Sequence, residues 1–259
     1  MRSIKEKVYS IKVKYFGITD KGILRKSNQD NYRIVRCEKQ GCTVIALCDG
    51  MGGANAGDVA SDIVTMTFTD YIVGKLTSRI KKELDYYTVL NDACDAANES
   101  AYDYSQFDDS LTGMGTTLVG GVIEDDGNVH IVNIGDSRAY LLDNHRIEQI
   151  TTDHSLVEEL VKSGSLTRSQ AKTHPKKNII TRAVGTEPVV PADYYELKLK
   201  RHSSLMFCSD GLSNFVPDEE VLDFYRQDHI PENFCKNLLR CTYEKGAADN
   251  VTIVLVVNE

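Results

Sequence analysis

Residues 42–53 read CTVIALCDGMGG: a short apolar run, an aspartate, and a glycine-rich turn. A run of this length, rich in β-branched residues and closed by Asp and Gly, reads as a strand. The same signature returns at 9–19 (YSIKVKYFGIT), 31–37 (NYRIVRC), 115–123 (GTTLVGGVI), 129–135 (VHIVNIG), 138–143 (RAYLLD), 192–200 (ADYYELKLK), 204–209 (SLMFCS) and 251–257 (VTIVLVV). Together these runs predict about ten strands.

Helical periodicity separates the runs. One helix is expected from about Ala56 to Leu76, and the next carries Leu90, Cys94, Ala97, Ala101 and Tyr104 as one apolar stripe. Near the end Phe234, Leu238 and Cys241 repeat the pattern, with Pro231 suited to a first turn and Gly246 to a stop. Strands in runs, with helices grouped between them, predict an α+β sandwich and not an alternating βαβ sheet. Residues 154–175 break the rhythm: HSLVEELVKSG reads as a short helix ending at Gly164, and Thr167 to Gln170 as a capping box opening another. This helical excursion suits a flap over a site.

The chain has 259 residues, 41% of them hydrophobic and 26% charged, with a net charge of −8. Such a chain can bury roughly three quarters of its unfolded surface. With no repeat, linker or low-complexity tract, a single domain over 1–259 is expected. The acidic balance, without a basic cluster, argues against sequence-independent nucleic-acid binding. No signal peptide or membrane span is evident, which predicts a cytoplasmic protein without a membrane partner. Seven cysteines, an odd number with no CxxC pair, read as reduced core residues.

The chemistry is suggested by where aspartates fall. Asp49 follows CTVIALC, Asp136 follows VHIVNIG, Asp210 follows SLMFCS, and Asp249 stands just before VTIVLVV. Carboxylates converging on one rim repel unless protonated or neutralised by a cation. Oxygen-only ligands favour Mg²⁺ or Mn²⁺ over zinc or copper. Two such ions sharing a carboxylate can hold a water and direct it at phosphorus. Each aspartate alone reads more readily as a turn-former, but four at strand ends, with Gly beside three of them, do not. The glycines at 50, 52, 53 and 57 let backbone approach a ligand. Arg25 can fork onto a phosphate or stand as a solvated loop residue, and Asp30 can hold metal-bound water or be an exposed turn acid. No GxSxG elbow or phosphate-cradling cysteine loop is present, so covalent catalysis is disfavoured.

TDKGILRKSNQDN, ALCDGMGGANAG, TTLVGG, VNIGDSRAYLL, TTDHSLVEELVKSGSLT, HPKKNIITRAVG, FCSDGLSNFV and ADNVTIVLV occur in the order found in metal-dependent protein serine/threonine phosphatases of the 2C type, bacterial branch. The resemblance spans about residues 10 to 257. It implies a central β-sandwich of two antiparallel sheets flanked by pairs of helices, an α-β-β-α four-layer fold with a small helical flap. It implies hydrolysis of phosphoserine and phosphothreonine by a hydroxide bridging two Mn²⁺ or Mg²⁺ ions, with a third ion as an option. By resemblance Asp49 would bridge both metals, Gly50 would offer its carbonyl to one, and Asp210 and Asp249 would bind the other. Asp136 would share a third metal with Asp210, Arg25 would bind the phosphate, Asp30 would hold metal-bound water, and Asn250 would stand behind the ligands. The segment 154–175 matches the variable bacterial flap, linked to substrate choice.

Two departures from the family pattern stand out. Gln29 replaces an acid before Asp30, and Met51 and Ala54 occupy positions where relatives carry a histidine proposed as general acid. Leaving-group protonation would then fall to a metal-bound water or another residue. The expected partners are phosphoproteins, among them a serine/threonine kinase and its substrates, acted on by a monomer. A catalytically silent pseudophosphatase serving as a binding or sensing module is the alternative, and a two-metal nuclease is opposed by the acidic charge.

Overall fold

The computed structural model describes residues 13–52, 56–78, 84–107 and 109–258. Two antiparallel sheets form its centre. One runs β2 (Asp30–Cys37), β3 (Cys42–Met51), β5 (Leu118–Glu124), β6 (Asn128–Ile134), β9 (Asp193–Lys198), with the short β4 (Gly115–Thr116) added to β3. The other runs β1 (Val13–Asp20), β11 (Val251–Asn258), β10 (Ser204–Cys208), β7 (Arg138–Leu142), β8 (Ile147–Gln149).

Alternation along each strand sorts side chains between layers. On β3, Val44, Ala46 and Cys48 face one helix layer, while Ile45 and Leu47 meet Phe207, Val254 and Val256 between the sheets. On β11, Ile253, Leu255 and Val257 face the opposite helix layer. Both faces of these strands are buried, which is why their sequences are continuously apolar. Each such Leu, Ile or Phe contributes about 1.5–3 kcal/mol by leaving water.

Helices α1 (Ala56–Ser78) and α2 (Tyr86–Ser105) cover the first sheet. The second is covered by α5 (Asp210–Ser213), α6 (Asp218–Gln227) and α7 (Pro231–Glu244). Between the sheets' later strands lie α3 (Leu156–Lys162) and α4 (Arg168–Lys172). Ser155 caps α3, Gly164 takes a left-handed φ of 75° just after it, and Thr167 and Gln170 make the expected capping box on α4.

Several expectations need correction. Tyr104 leaves the buried stripe of α2: it is 46% exposed and meets Phe107 edge-on. The run 115–123 divides at Thr117, whose amide and hydroxyl bond to the backbone of Asp49 instead of continuing one ladder. Asp30 opens β2 and is 6% exposed, so it is no exposed turn acid. The first residues of the 9–19 run, and Gly53 and Ala54, lie outside the described residues. The seven cysteines are free and buried, as anticipated.

Candidate active site

Strand register brings the acids to one end of the sandwich. Asp30, at the start of β2, pairs with Asp49 near the end of β3. In the other sheet β10 ends opposite the start of β7, Cys208 against Arg138, placing the β6–β7 turn with Asp136 beside Asp210 in the first turn of α5. Asp249 leads into β11, whose Val251 pairs with Asp20 at the end of β1.

At this end the carboxyls lie close enough to act on one another. Burial pushes Asp49 well above the usual carboxylate range, and Asp30, Asp210, Asp136 and Asp249 push it further. Burial raises Asp30 to about 7 and Asp136 to about 8, the latter with help from Asp210 and Asp153. Asp210 is raised by burial and then by Asp249. Burial is the largest cause in every case, and neighbouring carboxylates add to it.

Neighbours hold the acids in place. Asp30 Oδ2 accepts from Ser209 Oγ and Thr252 Oγ1, both at 2.7 Å, whereas its buried Oδ1 has no hydrogen-bond partner. Thr117 Oγ1 accepts from the Asp49 amide at 2.9 Å and lies 2.7 Å from Ser137 Oγ. Gly50 is packed so closely that a Cβ there would sit 2.0 Å from the Gly57 carbonyl and 2.5 Å from that of Gln29. Asn250 accepts from the Gln29 amide and donates to the carbonyls of Lys21 and Ser27, gathering the 21–29 loop; its own amide bonds Asp249 Oδ1.

Sequence reasoning missed Ser209, Thr252, Thr117 and Asn214. All four sit inside the quoted motifs but carry no charge to attract notice. Asn214 donates to Asp210 Oδ2 at 3.0 Å, and Lys177 Nζ donates to Asn214 Oδ1 at 3.1 Å.

Arg25 is not a free loop residue: its Nη2 donates to Asp249 Oδ2 at 2.8 Å while half the side chain stays in solvent. Among the described residues no three acidic, thiol or imidazole side chains already encircle a common ion position. Three acids are instead held by protein donors: Asp30 by Ser209 and Thr252, Asp249 by Arg25, and Asp210 by Asn214. The donor set still suits hard divalent ions: five carboxylates, an unpartnered buried Oδ1 on Asp30, and a backbone cradle at Gly50 that admits no side chain.

A cleft of about 600 Å³ opens beside the cluster, lined by Asp136, Asp210, Arg138, Lys172, Lys177 and Asn214 among others, and no histidine. His154, at the base of the flap, is buried and committed elsewhere. Its Nδ1 accepts from the Gly135 amide, its Nε2 faces Asp193 at 3.1 Å, and burial lowers its pKa. These contacts fasten the flap's first residue to the turn that carries Asp136.

The family model for protein phosphatase 2C matches residues 25–251. The chain belongs to the protein phosphatase 2C family. A relative named serine/threonine phosphatase stp, from Listeria monocytogenes, is 36% identical over 238 residues, covering 92% of this chain and 93% of that one. The crystal structure of serine/threonine phosphatase Stp1 from Staphylococcus aureus superposes with a TM-score of 0.85 at 34% identity, over 96% of this chain and 95% of that one. The catalytic domain of the phosphatase PstP, solved with two manganese ions, matches at 29% identity with a TM-score of 0.79, over 95% and 98% of the two chains. The 2C family fold accounts for the architecture: two antiparallel sheets between helix layers, with the acidic end at one rim.

Proposed function

We infer that this 2C-family chain is a metal-dependent protein phosphatase that hydrolyses phosphoserine and phosphothreonine, using Mn²⁺ or Mg²⁺. The crowding of Asp30, Asp136, Asp210 and Asp249 around Asp49 at one end of the sandwich is the observation that carries the reading. A binding module without catalysis has no need for that electrostatic burden, which disfavours the pseudophosphatase alternative.

Asp49, the Gly50 carbonyl, Asp210 and Asp249 are the residues to hold two ions, with Asp136 and Asp210 open to a third. When bound, such ions neutralise the acids and lower the pKa of water, supplying a nucleophile at neutral pH. Arg25 has a forked guanidinium on the rim of the cluster, half in solvent, where it would take the substrate phosphate. Asp30, clamped through one oxygen by Ser209 and Thr252, keeps its other oxygen aimed at the cluster to accept a proton from a water there. Met51 occupies the position of the relatives' proposed acid and has no proton to give, so the departing alcohol takes its proton from a water or from another residue.

The natural substrates on this reading are phosphoproteins, including a serine/threonine kinase, acted on by a cytoplasmic monomer. Among the described residues no helix is long and apolar enough to cross a membrane. The deciding experiment is phosphate release from a phosphothreonine peptide with Mn²⁺, with Mg²⁺ and with excess chelator, beside Asp210→Asn. Metal-dependent turnover lost in the variant is expected; a folded protein inactive with every divalent ion would return the pseudophosphatase reading.

A further inference from the structure

The cleft beside the acidic cluster carries four cationic side chains on its walls: Arg138, Arg168, Lys172 and Lys177. Two of them are paired with carboxylates and a third is bonded to a neutral amide. Arg138 grips both oxygens of Asp153, and Arg168 grips both oxygens of the buried Glu158. Lys177 donates to Asn214. Lys172, exposed in the last turn of α4, makes no hydrogen bond or ion pair among the described residues.

The acids of the same walls sort in the same way. Asp153 and Glu158 are spent on the arginines, and Asp136 and Asp210 belong to the cluster. Asp218 remains, on the far wall in the first turn of α6, where the helix N-terminus offsets its charge. The flap wall therefore presents an uncompensated positive charge, in a chain whose net charge of −8 repels acidic segments elsewhere.

We propose that Lys172 makes the enzyme select phosphoprotein segments that carry a second anionic group, a carboxylate or another phosphate, within a few residues of the phosphoserine or phosphothreonine. The proposal rests on the phosphatase reading above. A chain whose phosphate sits by Arg25 has to continue along a wall of the site, and the cleft is the wall that extends from Asp136 and Asp210 beneath the flap. An anionic neighbour gains there a cation that no protein group already occupies. A substrate without one gains nothing. Lys172 thus acts as a specificity residue and takes no part in the bond cleavage itself.

The test compares kcat/KM for phosphothreonine peptides that differ only in their flanks: neutral, with Glu, with a second phosphoserine, or with Lys. Wild type, Lys172→Ala and Lys172→Glu are assayed with Mn²⁺, and each is also assayed on a small aryl phosphate that cannot reach the flap. Wild type is expected to favour the Glu or phosphoserine peptide over the neutral one by about three- to tenfold, less at high salt. Lys172→Glu should bring that ratio to one or below while the aryl phosphate rate stays within about twofold. A gain with phosphoserine alone identifies a second phosphate as the ligand, and a gain with Glu as well shows that a carboxylate suffices. Equal ratios in wild type and Lys172→Glu would overturn the proposal. A wild-type protein inactive on the aryl phosphate would instead remove the phosphatase reading, and this proposal with it.

Discussion

Asp30 and Asp49 are cross-strand partners on β2 and β3, a buried and a half-buried carboxyl facing each other at one end of one ladder. Such a pair is stable without a cation only while it keeps a proton. The arrangement makes the protein's stability depend on pH and metal together. Asp30 titrates near 7 and Asp136 near 8 in the folded protein, against 3.8 when unfolded. Between those values the native state holds more protons than the unfolded chain, so stability falls as pH rises through the window. Thermal denaturation in chelator should therefore show Tm dropping between about pH 5 and pH 8. Excess Mn²⁺ should raise Tm most at the alkaline end, because there the carboxylates are bare. Asp30→Asn, which keeps the Ser209 and Thr252 hydroxyls bonded by letting them rotate, should flatten the slope in chelator. A Tm independent of pH in chelator would contradict the carboxyl crowding.

Arg25 is half in solvent, so its ion pair with Asp249 adds less than about 1 kcal/mol to stability. Its value lies in the phosphate it is free to take. Arg25→Ala should leave Tm nearly unchanged and lower kcat/KM on a phosphothreonine peptide by about 10- to 100-fold, the worth of a charged hydrogen bond. Arg25→Lys should recover part of the loss, since a point charge replaces a fork. Steady-state kinetics on the two variants checks this, and an unaffected Arg25→Ala would place the phosphate elsewhere.

Gly50 tests the backbone side of the site. A methyl group there meets the carbonyls of Gly57 and Gln29 at 2.0 and 2.5 Å, both backbone and neither able to swing aside. Gly50→Ala should cost at least about 3 kcal/mol and separate β3 from the start of α1. The expected result is a strongly lowered Tm with no recovery on adding Mn²⁺. Gly74→Ala, whose Cβ meets nothing within 4 Å, serves as the control and should be neutral or slightly stabilising.

What the sequence disclosed follows from burial. Strands buried on both faces write continuous apolar runs, so β3, β10 and β11 were legible, whereas β8 has only Ile147, Glu148 and Gln149 on a sheet edge and left no run to read. Helix α6 was also missed, although Pro217 before three acids and the buried Val221, Leu222 and Tyr225 are an amphipathic start signal. Within the site the charged residues announced themselves by following strands. The hydroxyls of Thr117, Ser137, Ser209 and Thr252 did not, because a serine or threonine gains its meaning only from the partner that register brings to it. Asn214 was invisible for the same reason, since its link to Asp210 depends on the turn of α5.

Asn250 ties that uncharged layer to substrate binding. Its side chain accepts from the buried Gln29 amide and donates to the carbonyls of Lys21 and Ser27, closing the loop that presents Arg25. Asn250→Ala strands those groups and should cost about 2–3 kcal/mol, seen as a lower Tm. If the loop's shape is what positions Arg25, the same variant should raise KM for the phosphopeptide more than it lowers kcat. The Arg25→Ala and Asn250→Ala losses in kcat/KM should then fail to add, because once the guanidinium is gone its placement no longer matters. Fully additive losses would mean that the Asn250 side chain acts on the acid end of the site and not on the arginine; its backbone N–H, which bonds Asp249 Oδ1, survives the substitution. Asn250→Asp separates the two routes further. It retains the acceptor for Gln29, loses both donors, and adds a carboxyl to a cluster already crowded, so it should weaken Mn²⁺ dependence least and loop closure most if the arginine route holds.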